Sequence, residues 1–317
     1  MKKINRREFI SKSAKAGAVI AGTSVVPNIF AFDTQPMNQE PDISIVNGED
    51  YFWNTVKSIE QLGGIDKFVK TGDKVGLLAN SGYSNKGAYT RPEVLLAVAY
   101  LCKEARASVI YSFKGESESY WRKSPYSKTY KSLIADIIED ESDYIDFKIE
   151  KGIKLTEASV KSGFVDYDVV INVPILKNHG EIESTCTLKN TMGISSFGTN
   201  ITFHLGENYV TGAVKLIVDP YHNMEHLAQC IVDLNLIRKW DLNVVDVTEY
   251  ITDNGPSGPG KLRKENKIIA GSDPLAVEAL SGKYLDINPN ESMMVQKAIE
   301  NKLGEADISK LNIVEVD

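Results

Sequence analysis

Cysteine is scarce: three residues in 317, Cys102, Cys186 and Cys230, lie far apart with no C-x-x-C pair. This excludes a zinc ribbon and an iron–sulfur cluster bound by this chain alone. Histidine is scarce as well, with four residues, and positive charge falls short of negative, 36 basic residues against 43 acidic. The formal net charge is −7, and the first 31 residues hold six basic residues against one acid, so the rest is more acidic still. A body of that sign is not drawn to nucleic acid or to anionic lipid by its average field. No long apolar run is present either. The mildest candidate, Ala14 to Val26, is too short and too rich in Ala and Gly to span a membrane stably. What remains is ordinary globular composition, 42% hydrophobic and 25% charged. It argues against collagen-like, coiled-coil and wholly disordered chains.

The segment 1–31 has the form of an export address. Arg6-Arg7 is followed by Glu8-Phe9-Ile10 and Lys12, then by the mild apolar stretch and a Pro/Ala end near Ala31. The run N-R-R-E-F-I-S-K resembles the twin-arginine export motif. That resemblance implies a partner in the twin-arginine machinery and a bacterial, periplasmic or otherwise extracytoplasmic destination, with no stable membrane span after processing. A polar linker, 32–42, separates this segment from one long domain, 43–317.

Within the domain, strands and helices alternate. Ile43–Val46, Lys74–Ala79, Ser108–Tyr111, Asp168–Val173, Leu242–Val247 and Lys267–Ala270 read as strands, the later ones as central parallel strands. Phe52, Val56, Ile59 and Leu62 recur at helical spacing before the stop Gly63-Gly64. Thr90-Arg91-Pro92-Glu93 reads as a capping box with Pro in the first turn, and a short helix is expected near Glu157–Ser162. The pattern predicts an α/β fold, a largely parallel sheet flanked by helices, with two lobes around a cleft. In such folds the working groups sit at the carboxyl ends of strands.

The chemistry concentrates between residues 174 and 226. The run Asp168–Val173 leads into Pro174-Ile175-Leu176-Lys177-Asn178-His179, then Thr187-Leu188-Lys189-Asn190-Thr191-Met192-Gly193. Lys177 and Lys189 offer cations or amines, His179 a base, and Asn190 a hydrogen-bonding amide, a set suited to a small anionic ligand. All four histidines, His179, His204, His222 and His226, fall in this part of the chain. Asp246, ending N-V-V-D, is read at a strand's carboxyl end. Asp273-Pro274 reads both as a helix cap with a first-turn proline and as a site candidate.

The runs V-I-N-V-P-I-L-K-N-H, T-L-K-N-T-M-G, G-P-S-G-P-G and S-D-P-L-A-V-E-A, with G-D-K-V-G-L-L-A-N and T-R-P-E-V earlier, resemble domain-of-unknown-function family 362. Some members carry ferredoxin-like cysteine motifs that this chain lacks. Where the family commonly has Lys-Pro-Asn, this chain has Leu78-Ala79-Asn80. The resemblance brings Asp273 forward as a ligand- or cofactor-binding candidate, beside Asn80, which keeps the last residue of that pattern, and Asp246, placed by its strand end.

A second similarity is more distant. His179, Lys189 and His204 follow the order found in nickel-pincer lactate racemases: a catalytic His, a Lys that anchors the cofactor and a His that binds nickel. The Gly-rich segment that precedes the racemase Lys is absent. His222-Asn223-Met224-Glu225-His226 fits H-x-x-E-H, an inverted zinc-peptidase motif, on a helix started by Pro220. The metal candidates are therefore His204, His222 and His226, with nickel, zinc or a pincer-type cofactor as the group held. Gly255–Lys261 matches G-x-x-x-x-G-K, but its prolines and Leu262 rule out a phosphate cradle, leaving a loop. The functional expectation is an exported metal- or cofactor-dependent enzyme acting on a small anion, isomerase- or racemase-like or redox. The alternative is a non-catalytic binding or accessory protein for a periplasmic redox or metal system.

Overall fold

The computed structural model describes residues 41–205, 209–210, 213–214 and 220–317. The export segment and nearly all of the linker lie outside them. Eight strands build one sheet: β1 (Ile43–Asn47), β2 (Lys74–Ala79), β3 (Val109–Ser112), β4 (Ile137–Glu139), β5 (Val169–Val173), β6 (Leu242–Ile251), β7 (Leu262–Gly271) and β8 (Ile313–Val316). Their order is β8-β1-β7-β6-β5-β2-β3-β4. Every neighbouring pair is parallel except the two that involve β7. The fold is thus α/β with a mostly parallel, mixed sheet. The main helices are α1 (Tyr51–Gln61), α2 (Pro92–Glu104), α3 (Thr187–Asn190), α4 (Phe197–Leu205), α5 (Pro220–Asn235), α6 (Pro274–Gly282) and α7 (Met293–Glu300). Among the described residues no helix is long and apolar enough to cross a membrane.

The sheet is covered on both faces, which explains why β5 reads as an unbroken buried run, V-V-I-N-V. Its alternate residues serve two cores. Val169, Ile171 and Val173 pack with Phe52, Leu95 and Val98 from α1 and α2. Val170 packs on the other side with Ile231, Trp240 and Leu275. The strand β2 divides likewise, Val75 and Leu77 to the first core and Leu78 to the second. The period of two, not hydrophobicity alone, sets which face each residue feeds.

Three local expectations are corrected. The residues Glu157–Lys161 form a strand paired antiparallel with Tyr144–Lys148, and a helix begins only at Ser162. Ala158 and Val160 are buried while Ser159 and Lys161 are less so, an alternation that marks a strand. Second, the strand around Lys267–Ala270 is antiparallel. The G-P-S-G-P-G segment returns the chain directly from β6, and so short a connection cannot carry the crossover that parallel pairing needs. Third, Thr90 does not cap α2. The N-cap is Arg91, without a side-chain cap bond. Thr90 is turned inward instead, its Oγ1 donating to Val173 O (2.8 Å) and accepting from Asn80 N (3.1 Å).

Candidate functional site

The carboxyl ends of β2 and β5 open onto a cavity of about 610 Å³. Beyond β5 the chain first runs beside β6, with Leu176 N donating to Asp246 O (3.0 Å) and Asp246 N to Pro174 O (2.9 Å). Lys177-Asn178 then pairs with Ser184-Thr185 in a small ribbon, and α3 and the 3-10 turn Thr191–Ile194 follow. A buried carboxyl group anchors that turn. Glu278 of α6 accepts from Leu188 N (2.9 Å) and meets Thr187 Oγ1 (2.7 Å) and Ser184 Oγ (3.4 Å). Thr187 Oγ1 also lies 2.8 Å from Pro274 O. Burial raises the Glu278 pKa, and the hydrogen bonds from Leu188, Thr187 and Ser184 oppose that rise.

Six of the sequence candidates line this cavity together: Asn80, Lys177, His179, Lys189, Asn190 and His204. Lys177 is fully buried. Its Nζ donates to Ala88 O (2.6 Å) and Asn80 Oδ1 (3.1 Å) and stands 3.9 Å from the centroid of the Tyr83 ring. Lys189 is almost as buried, with Nζ 3.1 Å from Met192 Sδ. Lys114, from the segment after β3, completes a trio of lysines around the space. Among the described residues no carboxylate lies within ion-pair distance of Lys114, Lys177 or Lys189. Burial, with the Lys189 charge added, lowers the Lys177 pKa to about 7. Burial lowers Lys189 to about 8 against an opposing pull from Glu181, and the more exposed Lys114 is lowered by partial desolvation against an opposing pull from Glu116.

His179 sits among these cations as a neutral ring. Burial and the charges of Lys189, His204 and Lys177 drive its pKa down to about 2. Its Nδ1 accepts from Glu181 N at 3.2 Å, which puts the ring proton on Nε2. His179 therefore offers the cavity an N–H donor. His204, on α4, bonds Glu181 Oε2 through Nδ1 at 2.8 Å. Burial and Lys189 lower its pKa more than Glu181 raises it.

A chain of buried amides supports the wall. Asn190 Nδ2 donates to Leu78 O (3.2 Å) and to Asn172 Oδ1 (2.8 Å). Leu78 O can only accept, so the Asn190 amide has a fixed sense, and its Oδ1 must take the proton of Asn80 Nδ2 (3.2 Å). Asn80 Oδ1 is thereby turned to Lys177. Asn172 continues the chain to Asn243 Oδ1 at 3.1 Å. Asn190 holds Asn80 in place rather than presenting a free amide. The sequence reading missed Asn172, Asn243, Tyr83, Lys114, Glu181 and Glu278. Two of them had a visible signal, an asparagine inside an otherwise apolar strand (V-V-I-N-V and L-N-V-V), since a buried amide needs partners.

The remaining candidates lie elsewhere. Asp246 is fully buried in the middle of β6, not at its end. It accepts from Arg91 N (2.8 Å) at the start of α2 and from Thr248 N (3.0 Å) and Oγ1 (2.7 Å). A carboxylate there does the work expected of Thr90. Asp273 caps α6, accepting from Leu275 N and Ala276 N, and its second oxygen takes Glu305 N (2.9 Å). It does not line the cavity. Pro220 starts α5 as expected, but the His222 side chain lies outside the described residues. His226 borders a separate cavity of about 580 Å³ with Cys230. Its Nε2 is 3.1 Å from Thr202 O, and Glu225 pairs with Lys297 at 3.1 Å. Among the described residues no three His, Cys, Asp or Glu groups are placed to hold a metal ion.

The G-P-S-G-P-G segment, read as a loop and not a phosphate cradle, forms part of the cavity wall through Gly255 and Pro256. Gly255 N donates to Asn178 Oδ1 (3.1 Å), and Gly180 N to Gly255 O (3.3 Å). An added Cβ at Gly255 would fall 1.6 Å from Asn178 O, so only glycine allows this approach.

The thylakoid-associated protein sll1697 of Synechocystis sp. is 26% identical over 263 residues, covering 78% of this chain and 73% of that protein. The family model "Domain of unknown function (DUF362)" matches residues 74–282, which run from the first residue of β2 to the last of α6 and contain every residue that lines the cavity. The chain belongs to the DUF362 family.

Proposed function

We propose that the cavity binds a small anion and transfers a proton on it, which makes the protein an enzyme of the isomerase or racemase kind. The observation that carries this reading is the pair of buried lysines, Lys177 and Lys189, facing one cavity that the more exposed Lys114 also lines, none of them within ion-pair distance of a carboxylate among the described residues. An ammonium group out of water is costly unless a counter-charge joins it. An anionic ligand supplies that charge. Lys189 and Lys114 serve as cations, His179 donates from Nε2 to a ligand oxygen, and Lys177 is the group that accepts or returns a proton near neutral pH. The export segment, on this reading, carries the site to the periplasm or another extracytoplasmic compartment.

Titration calorimetry with oxalate and pyruvate tests the binding, and deuterium uptake at carbon from heavy water tests the proton transfer. Binding is expected to weaken as pH rises through about 8, where Lys189 loses its charge. Absence of binding, or binding unchanged in Lys189→Met, overturns the reading.

A second reading has one observation in its favour, that His179, Lys189 and His204 share the cavity. A nickel-pincer group would be linked through Lys189 and would use His204 as its metal ligand, and it would supply a hydride acceptor. Elemental analysis and a visible spectrum of protein made in its native host decide it: nickel with a chromophore supports it, and a colourless, metal-free protein removes it.

A further inference from the structure

The surroundings of Lys177 fit covalent chemistry as well as charge, an argument that rests on the anion-binding reading above. A neutral amine has two N–H bonds and one lone pair. Lys177 Nζ has two neutral acceptors, Ala88 O and Asn80 Oδ1, and the sense of the Asn80 amide is fixed through Asn190 and Leu78 O. These acceptors use both N–H bonds of the neutral form. The lone pair is the valence left over. The stem is fully buried and the ring of Tyr83 closes one side, so the amine has little freedom to lose. A second lysine lining the same cavity also favours an uncharged neighbour.

Lys189 is not equivalent. Its Nζ meets a thioether, and the Glu181 carboxylate favours its charged form. One amine and one cation in a single cavity match a carbonyl adjacent to a carboxylate. We propose that Lys177 forms a Schiff base with a small 2-oxo acid whose carboxylate is held by Lys189. In the first step the Lys177 lone pair forms a C–N bond, the carbonyl pair moves to oxygen, and that oxygen gains a proton. In the second, a further proton makes the oxygen leave as water while nitrogen loses one proton and becomes the iminium. Nothing is oxidised or reduced. The iminium then withdraws electrons from the adjacent carbon, which makes its C–H or carboxyl bond easier to break.

The test is reductive trapping of the full chain with pyruvate and sodium borohydride, read by intact mass and peptide mapping. The borohydride supplies the hydride that turns the iminium into a stable secondary amine. The expected result is one carboxyethyl group per chain, on Lys177, dependent on both reagents and suppressed by excess oxalate. Lys177→Met should lose it. Asn80→Asp keeps the buried lysine but gives it a carboxylate partner, so it should suppress trapping at neutral pH and restore it at higher pH. Calorimetry on the same samples separates the two ideas. Pyruvate that binds without an adduct overturns the Schiff base and leaves the anion site standing, whereas pyruvate and oxalate that both fail to bind remove the anion site itself. An adduct on Lys189, or spread over surface lysines, also overturns the proposal.

Discussion

Replacing Lys177 with Met should change how stability depends on pH, and the size of the change follows from the burial of one amine. The Lys177 pKa falls from an ordinary 10.5 to about 7 in the folded protein. At about 1.4 kcal/mol for each tenfold change in proton affinity, this is roughly 4–5 kcal/mol held against the charged form. The folded value lies below the unfolded one, so between them the unfolded chain binds the proton more tightly. Wild-type stability therefore rises with pH from about 7 towards 10, by at most about 1.4 kcal/mol per pH unit from this group, and the penalty is fully present below about 7. Methionine has nearly the same length and no proton to bind. It also strands Ala88 O and Asn80 Oδ1, at about 1–3 kcal/mol each, but that loss hardly varies with pH.

The informative quantity is thus a difference of slopes. Urea denaturation of both proteins across neutral to alkaline pH should show the wild type gaining on the variant by several kcal/mol. Lys189 titrates in the same range and repels Lys177, so the difference between the curves carries the Lys177 titration together with its coupling to Lys189. Saturating oxalate should flatten the wild-type slope by pairing the ammonium. Parallel stability curves without ligand would refute the account, since they would mean that Lys177 is solvated or already paired.

Three further outcomes are expected. Asp273→Ala should cost about 1–2 kcal/mol in a denaturation midpoint and leave oxalate binding intact, because the carboxylate caps α6 and holds Glu305 N away from the cavity; lost binding at unchanged stability would return Asp273 to the site. Gly255→Ala should weaken oxalate binding by pushing the loop off Asn178, and wild-type affinity in calorimetry would show that this wall is dispensable. Changing Arg6 and Arg7 to Lys should leave the protein in the cytoplasm on cell fractionation, because a guanidinium pair is not matched by two ammonium groups; unchanged export would end the twin-arginine reading.

Much of the fold was legible because it obeys simple periods. The β5 run is apolar throughout since both faces are covered, and α1 shows its stripe of Phe52, Val56 and Ile59 between Asp50 and the glycines. The errors came where a local rule met a stronger tertiary demand. Thr90 fits a capping box, yet its hydroxyl is needed between β2 and β5, and the buried Asp246 carboxylate meets Arg91 N instead. Short strands such as Glu157–Lys161 carry too few residues for two-fold alternation to stand out from a helical turn. Direction of a strand is not written in its own residues at all. For β7 it follows from the length of the preceding connection, which was available and pointed to a hairpin.

The site was half legible for a related reason. Lysine, histidine and asparagine after a buried strand were conspicuous, and the structure brings Lys177, His179, Lys189 and Asn190 together. Clustering of histidines along the sequence was a poorer guide, because a turn of α5 carries His226 to Thr202 and Cys230 rather than to the cavity. The missing lysine of the Lys-Pro-Asn pattern illustrates the limit best. Leu78 stands two residues before Asn80 and packs into the second core, so β2 brings no cation here. Its side chain and that of Lys114 both press on Gly193, where an added Cβ would lie 2.9 Å from Leu78 Cδ1 and 3.1 Å from Lys114 Cε. A cation thus reaches this corner of the cavity from the segment after β3, the strand paired with β2. Position 114 belongs to no motif, and only the pairing of neighbouring strands makes it a neighbour of position 78. What the site requires is a charge at a place, and a sequence motif records only one of the ways to put it there.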